Sequence, residues 1–336
     1  MKKRRISTIL LVASGLVLFT LSIPFQAHSD VFPEDGKIIR FIVVTAAGGG
    51  MDADCRNLAP FLKKYLPWKK GEVVVENVTG AGGITGSRTL FMSKPDGYTI
   101  GHSYTRLMLF PQLLGQIAKF DITKFTFLGQ FSNYSSILWT RADHPFLKSF
   151  EDMKNPPRTI TFALPSTGEI GTFFVLKENM KLNVKPIMGY KGTKESQLAL
   201  LQGEVDTTTG EYGATTSLRK SGQIQHILHW MDKPLSMAPE IPSLKDLGYE
   251  EYAGKLSMDR NILGPPDIPK ERVEILRTAI WKALNDPEFQ ERAKKAERYL
   301  DVQDGEATRE ISLKLINFWT KYGDQVKQTF QELGIR

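Results

Sequence analysis

Two short glycine-rich segments carry most of the chemistry in this sequence. The first is Ala46-Ala47-Gly48-Gly49-Gly50-Met51-Asp52, and the second is Thr79-Gly80-Ala81-Gly82-Gly83-Ile84-Thr85-Gly86. A glycine run between a strand and a helix lets backbone N–H groups converge on an anion, aided by the helix dipole. Glycine suits such loops because a side chain would block close approach and because positive φ is often needed. One such loop reads equally well as a structural turn. Two at neighbouring strand ends favour an anion site. Gly48-Gly49-Gly50-Met51-Asp52-Ala53 also fits G-x-G-x-x-A, and Glu76 ends the next strand about 20 residues on, as in the dinucleotide fingerprint. That spacing supports a second reading, an exported NAD(P)-dependent oxidoreductase.

Other catalytic chemistry is thinly supplied. His102, His144, His226 and His229 are the histidines beyond the first 29 residues. His226 and His229 fall in Ile224-Gln-His-Ile-Leu-His-Trp230, which reads as a strand and would point them to opposite faces. No metal site is expected. There is no G-x-S-x-G elbow and no cysteine–histidine motif. Cys55, the single cysteine, is expected to pack beneath the first helix rather than act as a nucleophile. It also means that no internal disulfide is available.

The loops need elements to hold them. Lys37 to Thr45 is a β-rich run, and Leu58, Phe61, Leu62, Tyr65 and Leu66 follow at helical spacing over residues 52–66, with Asp52 as cap or first-turn acid. Val73-Val74-Val75 is a second strand, followed by the second glycine loop and a helix through Met92. Pro95-Asp96-Gly97 is a turn before a third strand at Tyr98. Strand, loop and helix three times over predicts a parallel α/β sheet with right-handed crossovers. Ligands of such sheets bind beyond the carboxyl ends of the strands, so both glycine loops should face one crevice.

Further on, Phe125–Leu128 and Ile137–Trp139 are two apolar runs, and Thr159–Ala163 is another strand. A polar loop, Pro165 to Gly171, opens the next helix. A second loop, Gly189 to Thr193, precedes a helix over 195–202, and Gln202 to Asp206 leads into a further strand. This is a second α/β unit. After Pro265-Pro266 and Pro269 the chain turns helical: Arg272 to Leu284 is amphipathic, and Pro287 sits in the first turn of another helix. Ile311, Leu315, Ile316 and Trp319 form an apolar stripe that belongs to the core.

The amino terminus reads as an address. Lys2, Lys3, Arg4 and Arg5 precede an apolar run from Ile6 to Ile23, and Ala27-His28-Ser29 offers small residues for cleavage. This is the layout of a secretory signal peptide over residues 1–29, cleaved after Ser29. The alternative is an uncleaved anchor, for which the apolar core is at the short end. Without the leader, 40 Lys and Arg face 37 Asp and Glu, so the basic balance is largely the leader's. No basic stripe with interleaved aromatics marks a nucleic-acid surface. Export by the general route counts against the dinucleotide reading, since the periplasm is poor in such cofactors. No cofactor is expected.

Several spaced motifs then resemble the extracytoplasmic solute-binding receptors of the tripartite tricarboxylate transporter family. They are Ile42 to Asp52, Val73-Val-Val-Glu-Asn77 with Gly80-Ala-Gly-Gly83, and Pro95-Asp-Gly-Tyr-Thr99. Tyr190-Lys-Gly-Thr193, Gly203-Glu-Val-Asp206 and Pro239 to Ser243 with Leu247-Gly248-Tyr249 continue the order. The resemblance covers about residues 37–335. It implies a two-lobed, type II-like periplasmic binding protein fold of α/β class, with the ligand cleft between the lobes and a helical C-terminal region. The lobes expected are 30–131 plus 250–336, and 132–249.

The function implied is capture of a di- or tricarboxylate, or a related organic acid, by a non-catalytic monomer in the periplasm. The receptor closes on its ligand and serves membrane transporter subunits encoded elsewhere, or alternatively a sensor. Carried onto this chain, the carboxylate loops are Ala47, Gly48, Gly49, Gly50, Met51 and Asp52, with Gly80, Ala81, Gly82 and Gly83. Ser103, Thr105, Ser166, Thr167, Tyr190 and Thr193 are the candidates facing them. The chain departs from the family pattern at Ala46 and Ala47 (usually prolines), Met51 (usually Thr), Val78 (usually basic) and Gly210-Glu211 (usually Asp-Asn). Met51 implies a more apolar pocket, suited to an aromatic or branched acid.

Overall fold

The computed structural model describes residues 31–115, 120–231, 234–235 and 238–333. The expected leader lies outside them. Strand β1 (Ile38–Val43) is rich in β-branched and aromatic residues and is buried along most of its length. It leads through the first glycine loop into α1 (Gly50–Tyr65), which buries Cys55, Leu58, Phe61 and Leu62. Next come β2 (Glu72–Asn77), α2 (Ile84–Phe91), β3 (Thr99–Ser103) and α3 (Thr105–Leu113). β1 pairs in parallel with β2 on one side and β3 on the other, as the repeated strand–loop–helix pattern predicts. β2 is the edge strand, and its burial alternates accordingly.

The two apolar runs flanking residue 132 belong to one long strand, β4 (Thr126–Arg141). Polar residues between them, Ser132 and Asn133, disguise its continuity. The second α/β unit holds β5 (Ile160–Ala163), α4 (Ile170–Phe174), β6 (Val184–Ile187), α5 (Thr193–Gln202), β7 (Thr207–Glu211), α6 (Thr216–Lys220) and β8 (Ile224–His229). Helix α5 therefore starts two residues before the expected 195. β9 (Ser257–Gly264) returns the chain to the first sheet. The tail is α7 (Lys270–Leu284), α8 (Pro287–Lys295), the two-residue β10 (Gln303–Asp304), α9 (Gly305–Thr320) and α10 (Gly323–Glu332).

β4 ties the two sheets together. Residues Thr126 to Ser135 pair antiparallel with β9, which in turn pairs with β3. Ser136 to Arg141 pair with β7 and β8. The chain thus crosses from one sheet to the other inside a strand, and returns between β8 and β9. One large apolar core runs through both sheets, taking in Phe162 and Leu228 of the second, and includes the C-terminal helices; a smaller one around Ile137, Trp139 and Leu200 belongs to the second sheet alone.

The lobes also touch through α3, α4 and α9. Trp319 of α9 packs on Phe110 of α3 and on Phe174 of α4, at ring-centroid distances of 5.0 and 6.4 Å. Arg106 of α3 is fully buried there and donates to the carbonyls of Gly168, Leu256 and Ser257. Its charge is matched by buried Glu169 at 3.9 Å.

Candidate functional site

The first glycine loop is held by a chain of side chains outside the cleft. Asp52, in the first turn of α1, accepts the Gly48 N–H at 2.8 Å and the Arg56 Nε at 2.9 Å. Arg56 reaches on to the Asn77 carbonyl oxygen at 2.8 Å, and the Asn77 amide donates to the Thr45 carbonyl at 3.0 Å. Burial alone would raise the Asp52 pKa, but Arg56, the Gly48 N–H and Asn77 hold it below the usual carboxylate range. Asp52 and Asn77 therefore shape the loop. Glu76, the ribose candidate of the dinucleotide reading, instead pairs with Arg40 at 2.7 Å.

Both loops end on helices whose first amides lack side-chain caps. Gly49 precedes α1 and Gly83 precedes α2, and neither supplies a capping hydrogen bond. The same holds for Gly192 before α5 in the other lobe. First-turn N–H groups have no intrahelical acceptor, and the dipole adds positive potential at each end. A cavity of about 410 Å³ is lined by Gly49, Gly50 and Met51 from one lobe and by Gly192, Thr193 and Lys194 from the other. A second, of about 350 Å³, lies between the Gly80–Gly83 loop and Ser166, Thr167, Met188 and Tyr190. The two share Thr45, Pro165, Ser166 and Lys191 in their walls.

The cleft is narrow, which is where glycine is required. Gly82 has φ 63°, and a Cβ there would meet the Thr167 methyl at 2.7 Å. A Cβ on Gly48, φ 77°, would meet the Lys194 ammonium at 2.6 Å. Thr167 also donates to the Gly82 and Leu107 carbonyls, at 3.2 and 2.8 Å, and Ser166 hydrogen-bonds the Tyr104 hydroxyl.

An ionic group stands beside the start of α1 in the wall of the larger cavity: a Cβ on Gly50 would meet Arg260 and Glu211, each at 2.8 Å. Arg260 of β9 and Glu211 of β7 both line it. Arg260 pairs with Glu211 at 3.1 Å and also with Asp54 of α1. Arg298, just past α8, binds Glu211 at 2.5 Å, Asp54 at 2.6 Å and the Gly50 carbonyl at 2.8 Å. Burial pushes the Asp54 pKa up, but the two guanidinium groups outweigh it and hold the acid ionised. His102 sits 3.8 Å from Asp54 and gives its Nδ1–H to the Asn261 carbonyl. Its burial depresses its pKa to about 4 despite that carboxylate, so it is neutral in this group.

Residues 56–314 match the family described as tripartite tricarboxylate transporter family receptor. This chain belongs to that family. The receptor is 27% identical over 288 residues to the Cupriavidus necator UPF0065 protein in the gbd 5' region, covering 84% of each chain. It is 27% identical over 261 residues to Protein BugT of Bordetella pertussis, covering 73% of this chain and 76% of that one. Among solved structures, periplasmic binding protein BugD matches with a TM-score of 0.73 at 25% identity, over 90% of this chain and 99% of that one. An R. palustris protein solved with adipate matches at TM-score 0.76 and 18% identity, over 87% and 97%. MatC from Rhodopseudomonas palustris, solved with malate, matches at 0.73 and 17%, over 85% and 99%. The fold is that of a two-lobed periplasmic binding protein.

In the receptor's cleft, Ala47, Gly49, Gly50, Met51, Ser166 and Thr193 line the larger cavity, and Gly80, Ala81, Gly82, Gly83, Ser166, Thr167 and Tyr190 line the smaller. Gly48 faces Lys194 across the cleft, and Asp52 supports the first loop from behind through the Gly48 N–H. Ser103 and Thr105 line neither cavity. Both are fully buried, and Thr105 is occupied by Asp259, which takes its N–H and its hydroxyl. The reason is topological: β3 lies between β1 and β9, so its end is plugged by the Asp259, Asn261 and Ser312 network. Sequence reasoning placed Lys191 only within a loop motif, did not name Lys194, Arg260, Arg298 or Asp54, and noted Glu211 only as a departure. One signal was present: Asp259-Arg260-Asn261 interrupts an apolar run, in a strand that is buried throughout.

Proposed function

We propose that this receptor is exported to the periplasm, captures a small carboxylic acid between its lobes by hinge closure, and passes it to membrane transporter subunits encoded elsewhere. One observation carries the reading. Two helix starts without side-chain caps, α1 from one lobe and α5 from the other, open onto one cavity beside Lys191 and Lys194. That arrangement offers backbone N–H groups and positive potential to a carboxylate from both sides. A ligand bridging both lobes favours the closed form by its differential affinity for it. The likeness to structures solved with malate and with adipate supports the same class of ligand. The basic, apolar and small-residue order of residues 1–29 supports export with cleavage after Ser29.

The test is a thermal-shift screen of residues 30–336 against mono-, di- and tricarboxylates, aromatic acids, acidic amino acids and NAD(P). A ligand that binds only the native state raises the melting temperature by mass action. A shift with one carboxylate class is the expected result. A shift with NAD(P) and none with any acid contradicts the receptor reading.

A further inference from the structure

Two adjacent residues of opposite charge grip both lobes beside the larger cavity. Glu297 and Arg298 follow α8, which packs on α1 and α7 of the first lobe. Each reaches into the second lobe. Arg298 binds Glu211 of β7 at 2.5 Å, and both side chains are nearly buried. Glu297 accepts the Thr216 hydroxyl at 2.6 Å and pairs with Arg219 and Lys220 at 3.4 and 3.2 Å, all three from α6. The backbones meet as well. A Cβ on Gly213, in the turn between β7 and α6, would lie 2.6 Å from the Glu297 carbonyl oxygen. Glu297 itself holds φ 52°, a left-handed conformation uncommon for a residue with a side chain, and such conformations persist where surrounding contacts fix them. Glu211 and Ala214, on either side of that glycine, line the larger cavity.

We propose that Glu297 and Arg298 form a clasp that holds the lobes closed before ligand arrives. The inference rests on the hinge-closure reading and adds a device that sets its resting position. An exposed ion pair alone contributes little. Here the half-exposed Glu297 gathers a hydroxyl and two cations, and its neighbour secures a buried pair. Parting the lobes would separate both groups at once, and a buried charge stripped of a partner is costly. The opposite signs also fix how the lobes meet. Glu297 suits the cations of α6 and Arg298 suits Glu211, so a shifted closure would set like charges together. A closed form that is already populated binds more tightly, because apparent affinity scales with the competent fraction.

The experiment is small-angle X-ray scattering of the mature receptor without ligand. The unmodified protein should give the profile calculated from this structure, in which the lobes meet. Glu297→Lys sets like charges against Arg219 and Lys220, and Gly213→Ala wedges a methyl group against the Glu297 carbonyl. Each should shift the radius of gyration upward, with circular dichroism checking that the variant is folded. Adding Lys220→Glu to Glu297→Lys restores an opposite-charge pair and should bring the radius back down. An unmodified receptor already more extended than the structure overturns the inference but leaves hinge closure standing. Either folded variant matching the unmodified profile also overturns it. Arg260→Met then separates the two failures: expansion there means that the lobes move but are held by Arg260 instead, and no expansion counts against hinge closure itself.

Discussion

The glycine end and the ionic end of the cleft wall adjoin at Gly50 and are built by opposite means. The glycine end uses backbone amides at helix starts, held by local contacts such as Asp52 with Gly48 and Arg56, four residues apart or fewer. The ionic end uses four charged side chains from α1, β7, β9 and the segment after α8, and Arg298 and Asp54 are 244 positions apart. The first end is shaped by turns. The second exists only when both lobes are folded and apposed, because Glu211 belongs to one lobe and its partners to the other. A backbone site can receive an anion without moving a charge; a compensated cluster resists one. The difference predicts that damage to the two parts will have different consequences.

The largest effect should come from the ionic end. Arg260→Met leaves Asp54 and Glu211 with one guanidinium between them. Breaking a buried ionic group by removing one partner typically costs about 3–5 kcal/mol, so the unfolding free energy in urea should fall by that order. A loss below about 1 kcal/mol would mean that the cluster is dispensable and the contrast between the two ends is wrong.

The second effect is a pH dependence from that end. Burial holds His102 at a pKa of about 4 in the folded protein, against about 6.5 unfolded. Between these values the unfolded chain binds a proton that the folded chain refuses. Stability therefore falls as the pH drops from about 6.5 towards 4, by up to about 3 kcal/mol from this group. His226 behaves alike, so the comparison is between the unmodified receptor and His102→Gln. The variant should lose less stability over that range, and parallel curves would contradict the assignment.

At the glycine end the effect should fall on binding rather than on folding. Gly82→Ala places a methyl group 2.7 Å from the Thr167 methyl across the cleft, at a positive φ. Ligand affinity should drop about tenfold, while stability changes by about 1 kcal/mol. The smallest change is Arg56→Ala. Its side chain is half exposed, and such helix-surface pairs contribute about 0.5 kcal/mol. A larger loss in chemical denaturation would show that the loop tether matters more than the first-turn geometry.

This contrast also explains what the sequence discloses. The glycine loops, the first three strands and the C-terminal amphipathic helices are local features, so turn chemistry and periodicity reveal them. Asp52 was legible as a first-turn acid because its role is met within one turn. Ser103 and Thr105 were misplaced because strand-end position does not show whether a neighbouring strand will cover that end, and β9 arrives from more than 150 positions away. The ionic end was hidden for the same reason: no local pattern pairs Asp54 with Arg298. What could be seen was a strand carrying Asp259-Arg260-Asn261 inside an apolar frame, and such polar runs in buried strands mark a shared network.

The most direct test is a crystal structure of the receptor with the acid that gives the largest thermal shift. The account predicts the ligand carboxylate at the starts of α1 and α5, with Glu211 still paired to Arg260 and Arg298. A ligand carboxylate seated on Arg260, with Glu211 displaced, would contradict it.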